Sequence, residues 1–378
     1  MDRRKFLTVS AAGIAAAALD PLAPTAEAKG RYRKPKASPD YSMVILGDTH
    51  FDTDPVTVYH SDYNEPTEWL NRVQRAEFAR NAAMWKERCP RLVERASRLV
   101  GEDTEMVLQM GDLIQGDCGN PEVHKKMLGD VMDSFKGQLG GLPFVTVPGN
   151  HDVRGTGAKQ AYRDFMPARM SAELGKKIEK TTFGFTVGPD AYIVLDFTAP
   201  DNEEIEKILK ETDGARYTFI ISHAPLFPSD DKSCRWFFHG SAKHDEDRRH
   251  FRKMFAKRDA ICLCGHTHRT EFADWFGDGG RITQMTMSSV WSKDELAMYK
   301  AVSEKPVQYG TRYRLQKKDD GTEVKDETPL FDEYRPGLKR YSSATGAGSY
   351  RMNVSDHGIT IDFYGGDSEE VTETFVVR

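Results

Sequence analysis

The sequence predicts an α/β protein built from βαβ units, with a largely parallel core sheet and a second sheet packed on it. Three observations carry this. From residue 41 to residue 263, short apolar runs alternate with amphipathic stretches in a strand–helix–strand–helix order. The runs are apolar at consecutive positions, as strands buried on both faces of a sheet must be. The last third of the chain holds more strand-like runs than helical ones. In open sheets of this kind, ligands bind beyond the carboxyl ends of the strands.

Tyr41 to Leu46 is the first strand, ending in Gly47-Asp48-Thr49-His50. Residues 51–66 have no periodicity and read as a loop. Glu68 to Cys89 has helical spacing at Trp69, Val73, Ala76, Ala83 and Trp85, and Pro90 is expected to start a second helix. Glu105 to Met110 is a strand ending at Gly111-Asp112, followed by a helix from Pro121 to Phe135. Leu142 to Val147 is a strand, and Pro148-Gly149 turns it sharply into Asn150-His151-Asp152. A helical stretch follows at 156–181. Thr182–Val187 and Tyr192–Phe197 read as adjacent strands joined at Gly188-Pro189, and Glu203–Lys210 as a helix. Tyr217 to Ile221 is a strand ending in Ser222-His223. After an irregular aromatic segment, 226–259, with a helix near its end, Ala260 to Leu263 leads into Cys264-Gly265-His266-Thr267-His268. Arg281–Val290, Tyr350–Val354, Ile359–Tyr364 and Thr372–Val377 read as strands. Residues 293–346 read as an irregular excursion.

The N-terminus reads as an address. Asp2-Arg3-Arg4-Lys5-Phe6-Leu7 is a twin-arginine pattern, followed by a weakly apolar run from Val9 to Leu19 and a small-x-small site at Ala26-Glu27-Ala28. That run is shorter than the ~20 residues needed to span a bilayer. Residues 1–28 are therefore expected to be a twin-arginine signal peptide, 29–39 a linker, and 40–378 a single domain of a periplasmic or extracellular protein. No transmembrane segment is expected after signal removal. The net charge of −5 provides no nucleic-acid-sized basic surface. Five cysteines, Cys89, Cys118, Cys234, Cys262 and Cys264, form no disulfide framework.

Five strand ends thus deliver Asp48 and His50, Asp112, Asn150 and His151, His223, and His266 and His268. Taken singly, Asp48 is explained by a turn, Asp112 by an N-cap and His223 by a core contact. Together, such groups carry a large desolvation cost unless something pairs them, and a divalent metal does. Nitrogen and oxygen donors without thiolate suit Mn, Fe, Zn, Co or Ni and disfavour Ca or a Cys-rich structural zinc site. Asp-x-His and His-x-His place two side chains on one side of an extended segment, so both pairs are expected to converge on one centre. Cys262-x-Cys264-x-His266-x-His268 offers a rival structural zinc site, but its cysteines are spaced too closely.

Gly47-Asp48-x-His50, Gly111-Asp112, Gly149-Asn150-His151-Asp152, Ser222-His223 and Gly265-His266-x-His268 together resemble, in order, the five signature blocks of the calcineurin-like metallophosphoesterases. The resemblance implies a four-layer α/β/β/α sandwich of two mixed sheets. It implies two divalent metal ions (Mn, Fe or Zn), one held by Asp48, His50 and His268, the other by Asn150, His223 and His266, with Asp112 bridging. His151 would face the substrate phosphate and Asp152 would hold its ring. The implied reaction is phosphoester hydrolysis at a dinuclear centre by a bridging hydroxide, with His151 stabilising charge or protonating the leaving oxygen. Similarity to bacterial members that act on cyclic nucleotides and phosphodiesters favours a phosphodiesterase or broad phosphoesterase. A phosphomonoesterase or nucleotidase is the alternative, and a non-catalytic metal-binding scaffold a more distant one. Purple acid phosphatases carry a Tyr three residues after the Asp of the second block. Gln115 stands there, which argues against an iron(III)–tyrosinate site. Arg154, Lys232 and Arg235 are candidate phosphate contacts, and His239 with the aromatics of 226–259 a candidate leaving-group pocket.

Overall fold

The computed structural model describes residues 40–378, apart from 230–232, 234–236, 238–241, 289–299, 304–308, 311–325 and 367. The expected signal and linker, and Lys232, Cys234, Arg235 and His239, lie outside the described residues.

The chain starts with β1 (Tyr41–Leu46), α1 (Thr57–His60), α2 (Glu68–Ser97), β2 (Thr104–Gln109), α3 (Pro121–Gln138), β3 (Phe144–Thr146) and α4 (Ala158–Leu174). It continues with β4 (Phe183–Val187), β5 (Asp190–Leu195), α5 (Asn202–Glu211), β6 (Thr218–Ser222), α6 (Ala242–Lys257) and β7 (Ile261–Cys264). It ends with β8 (Thr270–Gly277), β9 (Gly280–Thr286), β10 (Lys300–Ser303), α7 (Thr328–Tyr334), β11 (Leu338–Thr345), β12 (Gly348–Ser355), β13 (Gly358–Gly365) and β14 (Glu373–Val376).

These strands make two mixed sheets. One has the order β14-β13-β12-β1-β2-β3, with β1, β2 and β3 parallel. The other has the order β10-β11-β8-β9-β7-β6-β5-β4, with β5, β6, β7 and β9 parallel. Strand alternation sorts the second sheet's side chains between two cores. Tyr192, Val194, Phe219 and Ile221 face Met43, Ile45, Met106 and Leu108 of the first sheet in one core. Ile193, Leu195 and Ile220 turn to the other, under Ile205 of α5, Phe251 and Phe255 of α6 and Tyr334 of α7. The first sheet's outer face is covered by α2, α3 and α4, through Trp85, Leu92, Met127, Phe135 and Met166. The result is the α/β/β/α layering that the resemblance implied.

Three expectations change. Pro90 does not start a new helix; α2 runs through it for 30 residues. Proline removes one helical hydrogen bond, yet Trp85 before it and Leu92 and Val93 after it bury in the same core, which keeps the axis continuous. The loop at 51–66 contains α1, and Phe51 bridges to Ile114. The excursion at 293–346 is regular in part: β10, α7 and β11 lie within it. The sequence reading also missed β8, because it contains Glu271 and Asp274. Both are buried with partners: Asp274 pairs with Arg281 at 2.7 Å and Arg340 at 3.1 Å, and Ser343 donates to Glu271.

Phe219 is fully buried between the sheets and stacks on Tyr192 at 4.5 Å. Phe219→Ala should cost about 3–5 kcal/mol through lost burial and a residual cavity. Urea denaturation should show a lower midpoint; an unchanged midpoint would mean that the inter-sheet core is not the main stabilising layer.

Candidate metal centre

β1, β2 and β3 of one sheet and β6 and β7 of the other end at the same place. Their next residues bring together all seven expected ligands. Asp48, His50 and His268 place one donor atom each within 4.8 Å of one another, and so do Asp112, His223 and His266. A third such group, His50, Asp112 and His151, links the two. His268 Nε2 lies 3.0 Å from Asp48 Oδ2 and 3.1 Å from His50 Nε2. Asn150 Oδ1 lies 3.2 Å from His223 Nε2 and 3.0 Å from His266 Nδ1. Asp112 Oδ2 lies between the two sets, 3.2 Å from His223 Nε2 and 3.8 Å from His50 Nε2.

The pairs converge for a different reason from the expected one. β1 ends at Leu46 and β7 at Cys264, so neither Asp48-x-His50 nor His266-x-His268 is on a strand. Instead His50, Asp112, His266 and His268 all adopt positive φ, at 45°, 49°, 72° and 53°. Non-glycine residues there each cost on the order of 1 kcal/mol or more, and such outliers collect at functional sites. The left-handed kinks turn the loops back over the strand ends. Two glycines permit the resulting approach. A Cβ on Gly149 would lie 2.0 Å from the Asp112 nitrogen, and one on Gly265 2.4 Å from Asp48 Oδ1.

The ligand loops are bolted to one another and to α2. The Asp112 carbonyl accepts from the Thr49 and His50 amides at 3.0 and 2.8 Å. Asn81 donates to the His50 carbonyl at 3.0 Å, and the Trp85 indole to the Thr49 carbonyl at 2.7 Å. Gln109 donates its side-chain amide to the Gly47 and Gly111 carbonyls, at 3.1 and 2.7 Å, and meets Thr146 of β3 with its other end. Sequence reasoning missed Gln109, Asn81 and Trp85 as supports. The available signal was a Gln closing an otherwise apolar strand and an Asn on the inner face of a helix.

The electrostatics fit cations. The His223 Nδ1–H donates to the Met110 carbonyl at 2.7 Å, which leaves Nε2 facing the oxygens of Asp112 and Asn150. A bare lone pair there would repel both, so Nε2 must carry a proton or share a cation with those oxygens. Burial disfavours a charged His223, but Asp112 and Asp48 outweigh it and raise its pKa to about 10. Burial likewise opposes ionisation of Asp112, yet His223 and His151 hold its carboxyl well below the usual range. His50 is driven well below the usual histidine range by burial and by neighbouring His151. A donor set of one shared carboxylate, a second carboxylate, an amide and four imidazoles suits borderline divalent ions.

Asp152 corrects the expected role. It does not touch the His151 ring. Its carboxylate accepts from the Ile114 amide at 3.0 Å and the Gly149 amide at 2.9 Å, tying the second and third blocks together. Burial, then the charge of Asp112, raises its pKa to about 7. His151 is instead oriented by its Nδ1–H donating to the Gln115 carbonyl at 2.9 Å. The Gln115 side chain points away and donates to Glu77 at 3.1 Å. Cys262 and Cys264 are buried, free and part of the core under α6, and burial pushes the Cys262 thiol up to about 12.

The calcineurin-like phosphoesterase family model matches residues 41–270, more than half of the chain, and spans all five blocks. The chain belongs to the calcineurin-like phosphoesterases. It is a hydrolase acting on phosphoester bonds, from a family that works with divalent metals. This phosphoesterase is similar to the solved structure of PhoD, with 11% identity and a TM-score of 0.48 over 91% of this chain and 70% of that one. It is also similar to a dimetal phosphatase from Danio rerio, with 12% identity and a TM-score of 0.47, covering 90% of this chain and 100% of that one. GAP50, the anchor in the inner membrane complex of Plasmodium, shares 14% identity with a TM-score of 0.44, covering 90% and 89%. No curated protein matches the phosphoesterase. Among the described residues, no helix is long and apolar enough to cross a membrane.

Gly149→Ala should push Asp112 aside and lower metal affinity about 10-fold or more, the scale of a lost supporting contact. Metal content after dialysis checks this while circular dichroism confirms folding. A folded variant with wild-type metal content would show that the close approach of Gly149 to Asp112 is dispensable.

Proposed function

We propose that this phosphoesterase holds two divalent metal ions where its five strand ends meet, and hydrolyses phosphodiesters or a broad range of phosphoesters. The observation that carries the two-ion reading is the sharing of Asp112: one group of donors lies on each side of its carboxylate. Asp48, His50 and His268 would hold one ion, and Asn150, His223 and His266 the other. Bound there, the ions would supply Lewis acidity toward phosphoryl oxygens and a water of lowered pKa. Everything else is work for the chain. Asp112 fixes the separation of the two groups, and the Met110 carbonyl fixes the ring of His223. His151, held at Nδ1 by Gln115, presents Nε2 toward the substrate, where it stabilises charge or protonates the leaving oxygen. Asp152 acts one step back, by holding the loop that carries Asn150 and His151. The lean toward diesters comes from the general resemblance to bacterial members with such substrates and from no particular residue of this chain.

We also propose export by the twin-arginine route to the periplasm or beyond, with residues 1–28 as the signal, 29–39 as a linker and 40–378 as the catalytic domain. The pattern from Asp2 to Leu7 and the Ala26-Glu27-Ala28 site support this. Replacing Arg3 and Arg4 together by Lys should hold the full-length protein in the cytoplasm of a twin-arginine-competent bacterium. Export at the wild-type level, read by fractionation, would overturn the assignment.

Chelation should abolish hydrolysis of aryl phosphate esters, and Mn or Zn should restore it. Asp112→Ala should lose metal and activity together. His151→Ala should keep its metal but turn over about 10²–10⁴-fold more slowly. Equal metal loss in both variants would sink the division of roles, and inactivity of metal-loaded wild type on mono- and diesters alike would favour a scaffold.

A further inference from the structure

We propose that Arg154 is a substrate-binding residue, whose guanidinium holds a non-bridging oxygen of the phosphoester beside His151. This rests on the phosphoesterase reading above and adds a cationic contact outside the metal ligands.

Arg154 stands on the loop that carries Asn150 and His151, and its amide donates to the His151 carbonyl at 3.1 Å. Its side chain is 36% exposed, with Nε and Nη2 buried. Lone surface cations are usually solvated and loose. This one is held from behind. Asp117 Oδ2 lies 2.5 Å from Nε, and Glu77 Oε1 of α2 lies 3.9 Å from Nη2. Glu77 is itself fixed by the Gln115 amide at 3.1 Å.

The loop supplying Asp117 is shaped for this contact. Asp117 adopts φ of 55°, and a Cβ on Gly116 would lie 2.3 Å from the His151 carbonyl oxygen. The loop therefore wraps closely under residues 151–154, and the Asp117 amide donates to the Arg154 carbonyl at 2.9 Å.

An arginine presents a rigid planar fork of donors. Here the Nε and Nη2 edge faces the two carboxylates, which turns Nη1 the other way. Nη1 lies 3.4 Å from His151 Nε2. Because Nδ1 of that ring donates to Gln115, Nε2 is the nitrogen that faces the substrate side. Arg154 thus offers a preoriented donor at the same point. A phosphoryl oxygen approaching the second hydrogen of Nη1, the one not directed at the ring, gains a charge-assisted hydrogen bond that the ring alone does not provide.

The test is inorganic phosphate binding to the metal-loaded protein by calorimetry, alongside KM and kcat on an aryl phosphate ester. Arg154→Ala should weaken phosphate binding and raise KM by about 10–100-fold, the scale of one hydrogen bond to a charged group. Its metal content should equal that of wild type. Arg154→Lys, which keeps the charge and loses the fork, should fall between the two. Unchanged phosphate affinity in a folded, metal-replete Arg154→Ala would overturn the proposal. If Arg154→Ala misfolds, Arg154→Lys decides: wild-type affinity and KM there would refute a role for the fork. Phosphate binding that depends on Arg154 in a protein that cleaves no ester would uphold the anion contact and sink the hydrolase reading separately.

Discussion

Asp112 is the point on which the site depends. Its backbone carbonyl anchors the loop of Asp48 and His50 through two amides. Its Oδ1 accepts the His151 amide at 2.7 Å, which fixes the loop of Asn150 and His151. Its Oδ2 faces His223 and His50 from opposite sides. One buried residue in a left-handed conformation therefore contacts groups from three other strand ends. A buried carboxylate ringed by imidazoles is expensive to assemble and strongly polarising once assembled. That is the condition a pair of cations needs, and it accounts for the close glycine on one side and the kinked histidine loops on the other.

The surrounding supports divide their labour by distance. Gln109 and Asp152 act on backbone amides and carbonyls, so they set the course of the loops rather than the chemistry. Asn81 and Trp85 carry the same task into α2, on the stretch before Pro90. If α2 broke at the proline, Trp85 and Leu92 would no longer be held to one axis. Behind them His60 stacks on Phe78 at 3.8 Å and meets Asp52, itself in contact with Asn81. These contacts tie the ligand loops to α2 and to the chain behind it in successive layers.

The sequence made the ligands legible because each follows an apolar run directly, and a strand end is the one place where a fold of this type exposes polar groups. It made the α/β alternation legible for the same reason. Asp152 was misread because adjacency to His151 does not reveal that its carboxylate turns inward to the Ile114 and Gly149 amides. The convergence of Asp48 with His50, and of His266 with His268, was foreseen from strand alternation. It arises from positive φ, which no residue type except glycine advertises. β8 and β11 were invisible because strand pairing is a long-range property: Leu338–Thr345 is polar, and becomes a strand by pairing with Thr270–Gly277.

The division of ligands between the sheets ties the site to the stability of the whole sandwich. Asp48, His50, Asp112 and Asn150 follow strands of one sheet, and His223, His266 and His268 follow strands of the other. Each of the two proposed ligand sets draws on both sheets, so the packing of one on the other sets the distance across the centre. The C-terminal strands reinforce that packing at the site itself. Tyr350 of β12 reaches across to Thr270 of β8 at 2.7 Å and accepts from the Ser288 amide at 2.7 Å. Ser288, just beyond β9, donates to the Gly346 carbonyl at 2.6 Å and lies 3.3 Å from the His268 carbonyl. A stretch of chain with no signature residue of its own thereby holds the loop of His266 and His268 in place. Residues past 270, beyond the reach of the family model, are part of the machinery because they fix where the second sheet lies against the first.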